Sequence, residues 1–384
     1  MNRQRTLAAL TLALCLPLTG CNQVYLPRAQ DIVNVELVRV MALDPGKEQS
    51  VLVTVSSGVG SSADGQTPQP PVVLQAEGET VFSACLSIQT QGDRYVNYGS
   101  LDQCLVSEEE TEAGLTGLMD FMERDHEVRM DTELFLAKGA PASSFLEEMA
   151  TATSSASDRL QSIGRDYPLE SQGWTVTVRE AITDLADNGC ALIPVVELQV
   201  EDNKTTIEGK GMAWVSQNQV KGHFTEEKAR AAAILNHTAE GGSEEVTLSD
   251  GTVAGMRLTE MNCEWSFSWD GQKMSAIDGQ VSVKADIAEL QGPADPAEEA
   301  VTQELNRLLE EKLQAQLQGV MDTVQETGKD LFHLKRELLS QSLRRCEALE
   351  EHWEEWYPAA EITITVQSDV ERSYDVGRGS EWSK

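Results

Sequence analysis

The sequence predicts a mixed α/β (α+β) fold in three units, and three observations carry that prediction. Short runs with apolar residues at every second position alternate with segments whose apolar residues recur every three or four. That is the pattern of strands and helices stacked in layers. Two polar stretches, Thr151–Gly173 and Glu240–Ser243, interrupt it and leave units at 31–152, 171–240 and 243–384. A hydrophobic fraction of 40% over 384 residues supplies enough apolar surface for a core in each. The same composition excludes a wholly disordered chain. With 63 Asp+Glu against 30 Lys+Arg the formal net charge is −33. Nucleic acid is thereby excluded as a partner, because phosphate binding needs clustered Lys and Arg.

The first twenty residues are an address rather than part of the fold. Asn2–Arg5 is basic, and Leu7–Leu18 is an apolar run broken by Thr11 and Pro17. Twelve residues fall short of the roughly 20 that span a bilayer as a helix. The run ends in Leu18-Thr19-Gly20-Cys21, which resembles a bacterial lipobox. Residues 1–20 are therefore expected to be a signal peptide, and Cys21 the acylated first residue of the mature chain, carrying a palmitate-type lipid. Residues 21–30 form its tether. Cleavage removes Arg3 and Arg5, which takes the net charge to −35. No second apolar run approaches membrane length, so the expected state is anchored and not spanning.

Ile32–Val40 and Val51, Val53 and Val55 alternate as paired strands around the turn Asp44-Pro45-Gly46. Gly58–Pro71 is rich in Gly, Ser and Pro and reads as a loop. A helix is expected over 79–90, a strand over Arg94–Tyr98, and a helix over Glu108–Glu123 with Leu115, Leu118, Met119 and Met122 on one face. Val128–Ala137 reads as strand and Ser143–Met149 as a short helix. In the second unit Trp174–Leu185 is amphipathic, Ala191–Val200, Thr205–Val215 and Gln219–Gly222 are strands, and Thr225–Asn236 is a helix. The third unit opens with several short strands over 245–289, where Trp265, Phe267 and Trp269 alternate. Asp295 and Pro296 then suit a helix start, and the stripe Val301, Leu305, Leu309, Leu313, Leu317, Met321 and Val324 defines a long helix ended by Gly328. A second stripe from Leu331 to Trp353, stopped at Pro358, gives another long helix, and Ile362, Ile364 and Val366 a closing strand.

The search for chemistry is negative. Gly58–Ala63 superficially fits a dinucleotide fingerprint, but a Pro-rich stretch stands where the helix should begin. The five histidines show no HExxH or paired ligand spacing, and His126, among Asp125 and Glu127, lacks an accompanying nucleophile motif. Glu108-Glu109-Glu110 suits a helix N-terminus better than calcium, since successive acids point apart. Cys85, Cys104, Cys190, Cys263 and Cys346 form no CxxC pair, and buried free thiols are the simplest reading. No catalytic residue, metal site or cofactor is expected. Trp353, Trp356 and Tyr357, flanked by Glu350, Glu351, Glu354 and Glu355, either pack inward or form a partner-docking surface.

The order of these features is similar to one family. The lipobox, Tyr95-Val96-Asn97-Tyr98-Gly99, the run from Gly117 to Arg129, Lys138-Gly139-Ala140-Pro141, Gly209–Trp214 with Gln219–Gly222, and Asp330-Leu331-Phe332 followed by Trp353, Tyr357 and the 362–366 strand together resemble a Ger(x)C protein. That is the lipoprotein C subunit of spore germinant receptors. Asn22-Gln23 stands where the family often has Trp-Asp, and His333 where it has glycine. The Arg-x-Gly tail survives loosely at Arg378-Gly379. The resemblance implies three mixed α/β domains and a non-enzymatic role in nutrient-triggered germination. It also implies attachment at the outer face of the spore inner membrane and assembly with the membrane-embedded A and B subunits. The alternative is a surface lipoprotein that binds a small ligand by itself.

Overall fold

The computed structural model describes residues 34–371 apart from positions 49, 59–69, 153, 202–203, 272 and 342–345. Cys21, the leader, the tether, most of the Gly58–Pro71 loop and Arg378-Gly379 lie outside the described residues. In chain order the first sheet and its covers are β1 (Val35–Pro45), β2 (Val51–Ser57), β3 (Val73–Gly78), α1 (Val81–Gln89), β4 (Tyr95–Asn97), β5 (Gln103–Ser107), α2 (Thr111–Arg124), β6 (Glu133–Lys138), α3 (Ala142–Met149), α4 (Ala156–Glu170), α5 (Val178–Asn188), β7 (Cys190–Glu201), β8 (Lys204–Ser216), β9 (Gln219–Phe224) and α6 (Glu227–Leu235). The remainder is β10 (Gly242–Thr247), β11 (Val253–Asp270), β12 (Lys273–Gln291), α7 (Glu299–Glu326), α8 (Leu334–Gln341), α9 (Cys346–Ala359) and β13 (Glu361–Glu371).

The mixed α/β class is what the chain adopts. Strands run β3-β2-β1-β5-β6-β7-β8-β9 in the first sheet, with β4 beside the start of β1. Its centre, β1-β5-β6-β7, is parallel and its two flanks are antiparallel. A parallel centre must be covered on both faces. Met41, Leu43, Val106 and Leu136 point into one layer with α1, α2 and α5, while Val40, Ala42, Leu105 and Phe135 point into the other with α3 and α4. Asp44 is buried and accepts the Ala142 and Ser143 N–H groups at 2.6 and 2.7 Å, which pins the start of α3 to β1.

Hydrogen bonding crosses the polar stretch expected to separate the first two units, because β6 pairs with β7 over Leu136–Lys138. Within that stretch the expected linker gives way to α4, capped by Ser155, whose hydroxyl accepts Asp158 N–H at 3.1 Å. Two short strands absent from the sequence reading, β3 and β5, complete the sheet. The Ala-rich α6 packs against α7, and one apolar core runs through that contact into the third unit.

The second sheet has the order β10-β11-β12-β13. The several short strands expected over 245–289 are mainly one long hairpin, 18 and 19 residues in its arms, with three register shifts. Its tip holds Gly271 at φ +63°, which suits the tight turn after Asp270. Leu305, Leu309, Leu313, Leu317, Val320, Met321 and Val324 are the buried stripe of α7, as the periodicity predicts. The N-terminus differs: Asp295 Oδ1 accepts Ala297 N–H at 2.9 Å in its own turn, and Glu298 precedes the helix without a side-chain cap. The second expected long helix is instead α8 and α9, with Pro358 inside the last turn of α9.

Strand β13 pairs with β12 in parallel and ends the sheet, and α7 lies along its open side. Ile364 N–H donates to Gln318 Oε1 at 2.9 Å, and Gln318 Nε2 donates to the Ile362 carbonyl at 3.0 Å. Ser368 N–H donates to Glu310 Oε1 at 2.9 Å, and Val370 N–H to Asn306 Oδ1 at 3.0 Å. Four residues of helix rise about 6 Å and two of strand about 6.6 Å, so the two repeats stay nearly in step. Helix side chains thus stand in for a neighbouring strand and close an edge open to pairing.

Candidate functional site

The aromatic residues singled out in the sequence fold inward. Trp353, Trp356 and Tyr357 are 7%, 6% and 1% exposed. Trp353 stacks on Tyr357 with ring centroids 5.3 Å apart. Trp356 meets Trp269 edge-on at 5.8 Å and carries His352 stacked at 5.1 Å. Spacing explains this: residues 353, 356 and 357 share one helical face, and that face of α9 lies on β12, leaving Glu351, Glu354 and Glu355 outward. In this structure the three side chains pack rather than present a surface.

Tyr357 reaches the junction between the third unit and α5. Burial raises its hydroxyl well above the usual range, with Asp330 and Cys190 pushing the same way. Asp330 is itself buried, and desolvation raises its carboxyl although Leu334 and Lys335 N–H groups donate to it at 2.8 Å each. Next to it His333 sits at φ +56°, a left-handed conformation that favours glycine. The expected family glycine at this position therefore has a physical reason. Here the imidazole bridges to α5: Asn188 Nδ2 donates to His333 Nδ1 at 2.8 Å, and Nε2 faces Asp184 Oδ1 at 3.4 Å. The sequence signal for this junction was the histidine in a glycine position, but its two partners lie about 150 residues away and were not legible.

Four of the five thiols are placed as expected of buried residues, and the Cys346 side chain lies outside the described residues. Cys85, Cys104, Cys190 and Cys263 are free and buried. Desolvation pushes Cys85 up to about 11, Cys190 and Cys263 up to about 12, and Cys104 higher still. His126 is exposed in the loop after α2. His223 Nε2 lies 2.6 Å from Glu108 Oε1, joining β9 to the helical turn Glu108–Glu110 before α2.

Two clefts stand out. One, about 160 Å³, is lined by Asp102, Gln103, Arg129, Asp131, Glu133 and Gln161 at the N-terminal ends of β5 and β6. Its charges are largely paired with each other or their neighbours: Arg39 with Asp102, and Arg129 Nε with Asp131 Oδ1 at 2.9 Å. Burial raises Glu133. The other, about 170 Å³, is an open groove over Glu264, Gln280, Ser282, Thr365 and Gln367 on the outer face of the second sheet. Neither holds a nucleophile joined to a base. Among the described residues no three His, Cys, Asp or Glu side chains gather as metal ligands would.

Family comparison turns on two adjoining matches. Residues 28–198 match the model described as spore germination protein N-terminal domain, and residues 210–374 match the one described as spore germination B3/GerAC-like, C-terminal. The chain belongs to the spore germination GerAC-like family. Its fold is similar to the crystal structure of the GerBC protein, with a TM-score of 0.55 over 86% of this chain and 96% of that one, at 14% identity. A search of curated proteins returns no match. The family junction between residues 198 and 210 falls at the β7–β8 hairpin of the first sheet.

Proposed function

We propose that the chain is the non-enzymatic C subunit of a spore germinant receptor, held by lipid on Cys21 at the outer face of the spore inner membrane. There it docks onto the membrane-embedded A and B subunits and takes part in nutrient-triggered germination. The observation that carries this reading is the family match over residues 28–198 and 210–374, on a chain whose Leu18-Thr19-Gly20-Cys21 resembles a lipobox. Thirteen peptide steps separate Cys21 from Asn34, a reach of roughly 45 Å when extended. The fold is then kept within one domain length of the bilayer. Among the described residues no helix is long and apolar enough to cross a membrane. The acidic surface keeps undocked faces off anionic lipid.

Cys21→Ala should move the protein from the membrane to the soluble fraction and suppress nutrient-triggered germination. Membrane retention of that variant in cells lacking the A and B subunits would overturn the anchoring role. Normal nutrient response in spores without this chain would overturn the receptor role.

A further inference from the structure

Helix α1 presents an apolar surface that nothing in the described fold covers. Val81, Ala84, Cys85 and Ile88 are buried against the sheet. Phe82 and Leu86, one turn apart on the opposite face, are 55% and 54% exposed. Single exposed apolar residues are ordinary, but here two large ones share one helical face and an uncharged setting. No residue from Thr80 to Gly92 is charged, and no Lys or Arg occurs between Lys47 and Arg94. Edge strand β3 packs beside α1, with Leu74 half-buried on the α1 side and Val72 41% exposed. Exposed Glu79 and Asp93 bracket the helix, and Arg94 beside Asp93 is paired with Glu36 at 3.2 Å, so the rim is net acidic. An apolar centre with a charged rim is the anatomy of a protein interface.

Charge decides what fits it. Helices that lie on membranes carry Lys and Arg on the polar face; α1 has none, and its acidic rim repels anionic headgroups. A second copy would set the same Glu79 and Asp93 against themselves in a chain of net charge −33. The complementary occupant is a helix with an apolar face and basic residues at its ends. We propose that α1 is the docking face for such a helix from a membrane-embedded subunit of the receptor, with Phe82 and Leu86 as its anchors. This rests on the receptor reading above.

The test uses the full chain in membranes that contain both membrane-embedded subunits. With photo-crosslinking benzoylphenylalanine in place of Phe82, the expected product joins this chain to one of those subunits. F82S/L86S should lower the co-purified subunit by about tenfold, with the thermal midpoint unchanged because both side chains face solvent. A crosslink to lipid or to a second copy, or co-purification within twofold of the unsubstituted chain, overturns the proposal. Should F82S/L86S unfold, Leu86→Gln and the crosslink decide by the same criteria. If the unsubstituted chain itself brings down neither subunit, the receptor reading fails and takes this inference with it. If the unsubstituted chain and F82S/L86S both bring them down, this inference alone fails.

Discussion

Gln318→Ala strips two hydrogen bonds at once from the edge of the second sheet. Its amide holds Ile364 N–H at 2.9 Å and the Ile362 carbonyl at 3.0 Å, and Ile364 is 1% exposed. A buried polar group left without a partner costs about 1–3 kcal/mol. Truncation opens room for a water, so the low end applies to each group, and the expected loss is about 2 kcal/mol. At about 1.4 kcal/mol per decade, that is roughly a thirtyfold rise in amide exchange at Ile364. Hydrogen exchange followed by mass spectrometry on the peptide covering β13 reads the effect directly. Gln314→Ala, exposed on the same helix, should leave it unchanged. Exchange at Ile364 within threefold of the unsubstituted protein would refute the reasoning that α7 stands in for a strand.

Three further outcomes are expected. His333→Ala should be less stable than His333→Gly by about 1 kcal/mol in urea denaturation, since both lose Asn188 and Asp184 but alanine alone keeps the left-handed strain. The reverse order would remove the strain argument. Trp356→Ala should cost about 3–5 kcal/mol of stability; a fully stable variant that nonetheless fails to co-purify with the proposed membrane subunits would show a docking surface instead of a core. Native Cys85, Cys190 and Cys263 should resist iodoacetamide at pH 8, where a thiol raised to about 11 is about one part in a thousand thiolate. Their raised values mean reactivity grows only as pH climbs toward them, so rapid labelling at pH 8 without denaturant would contradict the buried placement.

Much of the fold was legible because periodicity coincides with burial where a surface has one wet face. The stripe of α7 and the alternation of β13 are of that kind: Leu305 to Val324 and Ile362 to Val366 are buried as their spacing predicts. Helix α4 was illegible because its buried face, Ala156, Ser157, Leu160, Ile163, Gly164 and Tyr167, is half small residues, and Pro168 interrupts its end. Strand β5 is buried throughout, so Gln103–Ser107 shows no alternation to detect. The β11–β12 hairpin looked fragmented because its register shifts break the period-two pattern. The aromatic cluster was visible as a helical face, yet sequence could not tell which side of α9 met the sheet. The α5 contact of His333 depends on tertiary placement that no local pattern encodes.

The position of β1 has a mechanical consequence. The described residues begin at Asn34, and β1, the first strand among them, is an interior strand of the first sheet, bonded to β4 and β5 in parallel and to β2 in antiparallel fashion. Tension arriving from the N-terminal side acts along the axis of β1. To extract it, such a pull must slide the strand past neighbours on both sides and break its ladder bonds together, whereas a terminal strand at an edge would peel one bond at a time. A pull from the N-terminal side is thus met in shear, by an interior strand bonded to three others.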